Sequence, residues 1–406
     1  TDHLKSLSPE KLANTVIPTA DYTVAQYVFS MDELVAAGSA TVYYESGSRA
    51  AGDSATSASW GAILDLGYDR FTTCFHAGRD GLDITEKEPF GEHAIATNNE
   101  YNSYEYNTIK RAFDTCADPE YVEMNAITMP GLRNNALTNH LTRICESRAD
   151  ALAIIDLDGG YTPTTETTND ATDRRGTVTA VISNLKNRNF NSSYACAFYP
   201  WVQIRDTVSD SMLWVPPSVA ALGTFASSQK KSELWFAPAG FNRGGLSDGA
   251  AGIPVTNVSE RLTSKDRDNL YAQNINPIAS FPAEGIVVFG QKTLQTAQSA
   301  VDRINVRRLM IFVKKEISRK ATSILFDQNV DATWNRFKGQ VEPFLASIKA
   351  RFGLTEYRLI LDKSTTTPDL IDQNILYAKI LLKPARAIEF IAIDFVIAST
   401  GASFDD

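Results

Sequence analysis

The sequence has 406 residues, of which 43 % are hydrophobic and 21 % are charged, and its formal net charge is −9. This length is enough for two or three globular domains with hydrophobic cores. A negative net charge without a Lys/Arg-rich run argues against direct nucleic-acid binding. No apolar run approaches the roughly 20 residues of a membrane-spanning helix, so no membrane insertion is expected. The chain starts at Thr1 without Met, which predicts a fragment or a processed chain.

Residues 1–100 predict a loop-heavy, β-rich region. Residues 1–20 are polar and lack periodicity, whereas residues 21–100 are rich in Ser, Thr, Ala, Gly and Tyr. Two segments of the second stretch have the composition of short strands between turns, namely "ATVYYES" and "RFTTCFHA".

Between residues 101 and 275, helical and strand-like patterns alternate, which predicts an α/β domain with helices over a sheet. The predicted helices are "YNTIKRAFDTC", "NNALTNHLTRICESR", "GTVTAVISNLKNR" and "VPPSVAALGTFASSQKK". The predicted strands are "YVEMNAITMPG", "ALAIIDLD" and "SSYACAFYPWVQI". The second strand is apolar throughout, as is typical of a strand covered on both faces. Two helices show an apolar face, formed by Leu137, Leu141 and Ile144 and by Val219, Leu222 and Phe225.

Residues 276–406 predict a small C-terminal α+β domain with two helices and three strands. The helix around "NVRRLMIFVKKEI" places Leu309, Phe312, Val313 and Ile317 on one side. The helix "ATWNRFKGQVEPFLASIKARFG" contains Pro343, which is expected to start or kink a segment. Its apolar stripe consists of Trp334, Phe337, Val341, Leu345, Ile348 and Phe352. The predicted strands are "YRLILD", "ILYAKILLKP" and "AIEFIAIDFVIAS".

Alternation in the last strand predicts which of its side chains are buried. The row expected to face the helices consists of Glu389, Ile391, Ile393, Phe395 and Ile397, and the opposite row of Phe390, Ala392, Asp394 and Val396. Asp394 is therefore expected to be exposed or paired with Lys379 or Arg386. Phe395→Ala should unfold the domain, whereas Asp394→Ala should leave the monomer nearly unchanged.

One motif suggests an enzyme. The segment "AIIDLDGGY" is similar to the nucleophile motif of haloacid-dehalogenase phosphatases, in which Asp156 would attack phosphorus and Asp158 would act as acid and base, with Mg²⁺ between them. Gly160 stands where that motif has Thr or Val, and no acidic pair follows a Lys at the family's spacing. The simpler interpretation is a strand end whose Asp side chains cap the next turn.

The other polar residues form no recognised catalytic or metal-binding pattern. The loop "GFNRGG" lacks the GxGxxG and GxxxxGK[ST] spacings, so its glycines are expected to permit turns rather than to bind phosphate. Arg307 and Arg308 point about 100° apart on a helix, which predicts that one faces the body and the other solvent or a partner. The four cysteines are scattered and predict free thiols: Cys74, Cys116, Cys145 and Cys196. The four histidines form no metal-binding pattern either, so no metal or cofactor is expected: His3, His76, His93 and His140.

Taken in order, these segments resemble the contractile-tail sheath proteins of bacteriophages and related injection machines. The resemblance covers about residues 100–406 and rests on "CESRADALAIIDL", "SSYACAFYPWVQIRD", "WVPPSVAALGTFA", "LWFAPAGFNRGGL", "LYAQNINPIASFPAEGIVVFGQKTL", "RINVRRLMIFVKKEI", "ILFDQNVDATWNRFKGQVEPFL" and "KPARAIEFIAIDFV". The ending "TGASFDD" is similar to the myovirus branch. The family's "SPG" opening is absent, which supports the expectation of a truncated chain.

The resemblance implies a structural, non-enzymatic role. Sheath subunits polymerise around a tail tube and contract to drive it through the host envelope, with no cofactor and no direct contact with nucleic acid. The implied partners are other sheath subunits, the tail tube protein, and the baseplate and tail terminator proteins. The implied location is the virion tail, and the host cytoplasm during assembly. The resemblance thus implies an α+β multidomain protein with a variable, β-rich outer region inserted at residues 1–100, a central α/β sheet domain (101–275) and a C-terminal α+β domain (276–406).

The resemblance also implies roles for particular segments. Arms of neighbouring subunits add strands to the C-terminal sheet, whose last two strands are connected through Pro384. That domain lies innermost, so cations of the helix Trp334 to Phe352 are candidates for contact with the tube: Arg336, Lys338, Lys349 and Arg351. In the loop after Glu233, Pro238 and Gly240 would shape a turn and Arg243 would bind carbonyls or a carboxylate.

Two other function classes stay open on the sequence alone. A metal-dependent phosphatase would use Asp156 and Asp158, and a binding module would stay soluble without assembling. Because a sheath protein forms tubes, electron microscopy of the full-length protein separates these classes. Without its linking arms, the 406-residue chain is expected to be monomeric.

Overall fold

The computed structural model describes residues 34–36, 42–44, 90–92, 95, 103–206 and 208–389. The chain forms two compact units, Thr1–Glu86 and Lys87–Asp406. In the first unit, strands β1 (Leu34–Ala36) and β2 (Val42–Tyr44) pair in antiparallel fashion. The second of these strands confirms the strand predicted in "ATVYYES". The predicted strand "RFTTCFHA" and the residues Cys74, His3, His76 and His93 lie outside the described residues.

The second unit alternates helices and strands through its first two thirds. Its helices are α1 (Tyr104–Thr115), α2 (Asn135–Arg148), α3 (Val178–Asn187), α4 (Pro217–Lys231), α5 (Ser264–Ala272), α6 (Ile304–Thr322), α7 (Asp331–Ala350) and α8 (Pro368–Asp372). Its strands are β3 (Ala126–Thr128), β4 (Leu152–Ile155), β5 (Ala195–Tyr199), β6 (Val202–Arg205), β7 (Met212–Val215), β8 (Val255–Val258), β9 (Asn276–Phe281), β10 (Gly285–Val288), β11 (Leu354–Ile360) and β12 (Lys379–Pro384).

A five-stranded sheet with the order β10-β9-β5-β4-β3 forms the centre of this unit. Its strands β3, β4, β5 and β9 run parallel, and β10 is an antiparallel edge. Every residue of β4 and β5 is buried, because helices cover both faces. Ala153 and Ile155 pack with helices α1, α2, α3 and α5, whereas Leu152 and Ile154 pack with α4 and the start of α6. This confirms the predicted fully covered strand and the α/β sheet.

Local sequence signals explain where several helices begin. The Asn134 side chain accepts hydrogen bonds from the N–H groups of Ala136 and Leu137 at the start of α2. Thr263 and Asp266 form a reciprocal capping box at α5. The predicted apolar face of α2, comprising Leu137, Leu141 and Ile144, is buried in the core.

The C-terminal part is a smaller α+β layer. Helices α6 and α7 pack against one face of the antiparallel pair β11–β12. The buried α7 side chains are Trp334, Phe337, Val341, Leu345 and Ile348, as predicted. On α6, Leu309 and Val313 are buried and Phe312 and Ile317 pack beside them, which also confirms the predicted face. The predicted third strand, with Ile391, Ile393, Phe395, Ile397 and Asp394, lies outside the described residues.

Several sequence predictions need correction. The segment expected to form one strand from Ser192 forms β5 and β6 in different sheets, because Pro200 has no N–H to continue the ladder. Helix α7 runs through Pro343 as one helix, and Phe352 lies beyond its end with 77 % of its surface exposed. On α4, Leu222 is exposed, because small residues such as Ala221 and Thr224 make the close contact with the sheet.

The domain boundary expected after residue 275 would divide the central sheet. Strands β9 and β10 follow that position and pair with β5 and with each other. The parallel pairing of β9 with β5 fixes them in the central layer, whereas the helices α6 and α7 begin the C-terminal layer.

Candidate assembly interface

The carboxylate at the end of β4 is a structural anchor. Asp156 is 1 % exposed. Its Oδ2 accepts hydrogen bonds from the Gly131 N–H at 2.9 Å and the Ser218 hydroxyl at 2.7 Å, and its Oδ1 accepts one from the Ser218 N–H at 3.2 Å. Burial raises the pKa of Asp156 to about 6, and the bonds from Ser218 and Gly131 oppose that rise. The side chain therefore caps the start of α4 rather than facing a substrate.

Asp158 lies in a different environment. Its side chain is 59 % exposed, and Oδ1 is 3.9 Å from Nη1 of Arg133, whose stronger partner is Glu166 at 2.5 Å. Among the residues that the structure describes, no group of three or more His, Cys, Asp and Glu side chains could hold a metal ion. The two aspartates are not brought together as a catalytic pair, so the phosphatase interpretation has no support. Asp156 caps a helix distant in sequence, not the next turn as expected.

The glycine-rich loop between α4 and β8 connects the two layers. It forms turns and contains no strand. Arg243 Nε donates to the Ala237 carbonyl at 2.9 Å, as the family resemblance implied. Gly240 has φ +80° and donates its N–H to the Val288 carbonyl at 2.9 Å. Trp235 packs in the C-terminal hydrophobic cluster, and its indole N–H donates to the Arg351 carbonyl. The loop therefore holds the two layers together rather than binding phosphate.

The adjacent arginines of α6 both face the protein body, which corrects the expectation that one points outward. Each is 9 % exposed. The Arg307 guanidinium lies 4.0 Å from the centroid of the Tyr194 ring, and that of Arg308 lies 4.9 Å from the Phe225 ring. Burial lowers the pKa of Arg307, and it lowers the pKa of Arg308 to about 10. Cation–π contacts with the two rings thus join α6 to the central sheet.

An ion pair joins the start of α6 to the segment that follows β12. Arg303 donates from Nε to Oε1 of Glu389 at 2.6 Å and from Nη2 to Oε2 at 2.9 Å. This bidentate geometry fixes both direction and distance. Glu389 is thereby held against the start of α6, and the rest of its predicted row lies outside the described residues. Sequence reasoning missed Arg303, and its position at the N-cap of α6 gave no signal of this partner.

The β11–β12 pair presents an open sheet. Ile380 and Leu382 pack toward α6 and α7, whereas Leu381 on the opposite face is 45 % exposed. In the described part of the chain, each strand has one partner and leaves one outer edge. Such an edge offers N–H and C=O groups to an added strand.

Two of the four candidate cations of α7 are bound within the chain. Arg336 pairs with Asp327, and Arg351 Nη1 lies 2.9 Å from Oε1 of Glu233. Lys338 and Lys349 are eleven positions apart, which is about three turns, so they lie on one face of the helix. The candidate surface for a charged partner is thus reduced from four cations to Lys338 and Lys349.

Two remaining sequence expectations concern cysteines and the membrane. Cys145 and Cys196 are buried free thiols, and Cys116 is free and partly exposed. Burial raises the pKa of the Cys145 thiol to about 12, so it is not a reactive thiolate. Within the described segments, no helix is both long and apolar enough to cross a membrane.

Two family models match consecutive parts of the chain. The phage tail sheath protein central domain matches residues 94–294, and the phage tail sheath C-terminal domain matches residues 296–398. The chain belongs to the phage tail sheath protein family. The matched ranges meet just before α6, after the last strand of the central sheet.

Curated tail sheath proteins are similar to this chain. It is 36 % identical over 225 residues to the tail sheath protein of Vibrio phage KVP40, covering 55 % of this chain and 32 % of that protein. It is 30 % identical over 307 residues to the tail sheath protein of Enterobacteria phage T4, covering 73 % of this chain and 45 % of that protein. The chain therefore spans less than half the length of these relatives.

Solved structures show the same fold at low sequence identity. The helical sheath of the anti-feeding prophage in its contracted state has a TM-score of 0.54 and 21 % identity, and covers 74 % of this chain and 76 % of that chain. The contracted PVC sheath complex of an extracellular contractile injection system has a TM-score of 0.56 and 18 % identity, and covers 80 % and 97 %. These likenesses confirm an α+β sheath fold.

Proposed function

We propose that this chain is the structural subunit of a phage contractile tail sheath, which polymerises around the tail tube and contracts to drive the tube through the host envelope. The ordered match to both sheath domains carries this proposal. The subunit works without enzymatic activity or a cofactor, because the free energy released on contraction comes from changed subunit contacts. It belongs to the virion tail and is present in the host cytoplasm during assembly.

The two layers of the second unit suit different parts of this task. The central sheet is covered on both faces and supplies a rigid body. Within the described residues, the β11–β12 pair has open edges that can accept arms of neighbouring subunits. We place the boundary between the two domains at residues 294–296, and the outer region at residues 1–100. The further partners are the tail tube, baseplate and tail terminator proteins.

Electron microscopy of the full-length protein, alone and with its tail tube protein, tests the assembly. We expect tubes of regular diameter in at least one of the two samples. A protein that stays monodisperse in both would contradict the sheath function and favour a non-assembling binding module.

Charge pairing between α7 and the tube is a narrower part of the proposal. Lys338 and Lys349 share one face, and neither belongs to the apolar stripe. Reversing both to Glu should leave the melting temperature unchanged and reduce assembly on tubes, with a loss that shrinks at high salt. Reversing Lys230 and Lys231, at the exposed end of α4, changes the net charge equally and serves as the control. Equal assembly of both variants would contradict a tube-facing role for α7.

A further inference from the structure

The turn between α6 and α7 presents two apolar side chains to solvent. Phe326 is fully exposed and Leu325 is 62 % exposed. Phe326 also has φ +68°, a left-handed conformation that bulky residues rarely adopt. Both features are unfavourable in an isolated chain, and strain of this kind concentrates where a protein meets a ligand or partner.

Hydrogen bonds hold this turn in place. The Asp327 N–H donates to the Ile324 carbonyl at 3.2 Å, and the Asp327 carboxylate binds Arg336. Asn329 accepts the Trp334 indole N–H at 2.8 Å and donates to the Ile375 carbonyl at 3.2 Å. The exposed Phe is therefore presented by a braced turn, and ordering it on binding costs little conformational entropy.

A cleft elsewhere on the same chain has complementary properties. Its volume is about 690 Å³, and its apolar lining includes Trp235, Phe236, Phe289, Phe352 and Ile388. Phe352, at its mouth, is 77 % exposed and is also left-handed, with φ +63°. This space is large enough for the side chains of one Phe and one Leu.

The charges around the two features also match. The turn carries Asp331 and Asp327, of which Asp327 is paired with Arg336, and no Lys or Arg lies between Lys320 and Arg336. The cleft is bordered by Arg243, Arg267 and Arg386 and by two acidic residues, Asp268 and Glu389, of which Glu389 is already paired with Arg303. An acidic, apolar turn and a basic, apolar cleft on one chain are suited to contact between two copies of that chain.

We propose that Leu325 and Phe326 of one subunit insert into the Phe352 cleft of the next subunit. Because knob and cleft are different surfaces, the contact is heterologous and can repeat along a helix without closing. This inference rests on the proposed assembly of the sheath and names one of its contacts.

Paired cysteines test the contact in assembled full-length protein. Phe326→Cys combined with Phe352→Cys should give a ladder of disulfide-linked oligomers on oxidation, whereas either single variant, or Leu222→Cys with Phe352→Cys, should not. Double-variant tubes that give no ladder would overturn the proposal, and so would a link from Phe326→Cys to the tube protein. If the wild-type protein forms no tubes at all, the proposed function fails instead.

A second measurement does not depend on disulfide geometry. Since burying a Phe side chain changes an association constant by about tenfold or more, Phe326→Asp should reduce the pelletable fraction by that order with an unchanged melting temperature. Leu222→Asp, an exposed position on α4, is the matched control and should assemble normally. Normal assembly of Phe326→Asp would overturn the proposal.

Discussion

The central sheet and the C-terminal sheet bury their strands to different degrees. In the central sheet, neighbouring residues such as Ala153 and Ile154 enter separate cores on opposite faces. In the C-terminal pair, Ile380 and Leu382 enter one core and Leu381 between them stays exposed. Helices cover both faces of the first sheet, whereas the described part of the chain leaves one face and the outer edges of the second uncovered. The rigid body and the proposed assembly surface are thus separated within one compact unit.

Charged groups also differ between the two regions: they are buried around the central sheet and exposed on α7. Around the central sheet, Asp156 and the α6 residues Arg307 and Arg308 are buried, each against a hydrogen-bond donor or an aromatic ring of the same chain. The C-terminal layer keeps Lys349 exposed on α7. Buried charges specify how one chain folds, while exposed charges are available to a partner.

The largest expected effect is in the core of the central sheet. Ile154→Ala should reduce the free energy of unfolding by about 2–5 kcal/mol, because its side chain is fully buried and leaves a cavity. Leu381→Ala, on the exposed face of β12, should change it by less than about 1 kcal/mol. Urea denaturation of both variants measures the difference. Equal losses would show that the β11–β12 pair is as self-contained as the central sheet.

The carboxylate that joins β4 to α4 should give the next largest effect. Asp156→Ala leaves the partly buried Gly131 N–H and the buried Ser218 donors without an acceptor, which costs about 1–3 kcal/mol. The exposed Asp158→Ala should cost less than about 0.5 kcal/mol. Thermal denaturation compares the two variants. Similar stability of both would remove the anchoring role assigned to Asp156.

Periodicity predicted most of the helices and strands, because their buried faces depend on local sequence. Contacts between distant segments were not predictable in this way. The partners of Asp156 at Gly131 and Ser218 are brought together by the fold alone. The burial of Arg307 and Arg308 depends on rings contributed by β5 and α4 regions.

The family could be predicted from the order of segments, whereas the exposed turn with Leu325 and Phe326 was overlooked. In "SILFDQNV", two large apolar residues stand between helices and beside polar turn residues. That combination is a signal of an exposed apolar site. The left-handed backbone of Phe326 has no comparable sequence signal, because Gly and Asn are the residues that normally mark it.

The ion pair between Arg303 and Glu389 holds the segment after β12 at the junction of the two layers. Glu389→Gln removes the charge and one strong acceptor of a bidentate pair, which should cost about 1–2 kcal/mol. Glu356→Gln is the control, because its Lys383 partner is 3.7 Å away and both side chains are largely exposed. We expect faster proteolysis after β12 only in Glu389→Gln. Identical digestion of the two variants would show that the Arg303–Glu389 pair does not hold the segment after β12.

The smallest expected effect is a dependence of stability on pH. The folded pKa of Asp156 is raised by burial to about 6, above its ordinary value of 3.8, so the folded protein binds this proton more tightly than the unfolded chain. Stability from this group therefore increases as pH falls from about 7 toward 4 and is lost again as pH rises through 6.

Between pH 7 and pH 5, the wild-type free energy of unfolding should rise by about 1 kcal/mol relative to Asp156→Asn, which does not titrate. Carboxylates with lowered pKa, such as Asp266, act in the opposite direction at lower pH and cancel in this difference. Denaturation at several pH values measures it, and parallel curves for the two proteins would show that the Asp156 carboxylate is not desolvated in the folded chain.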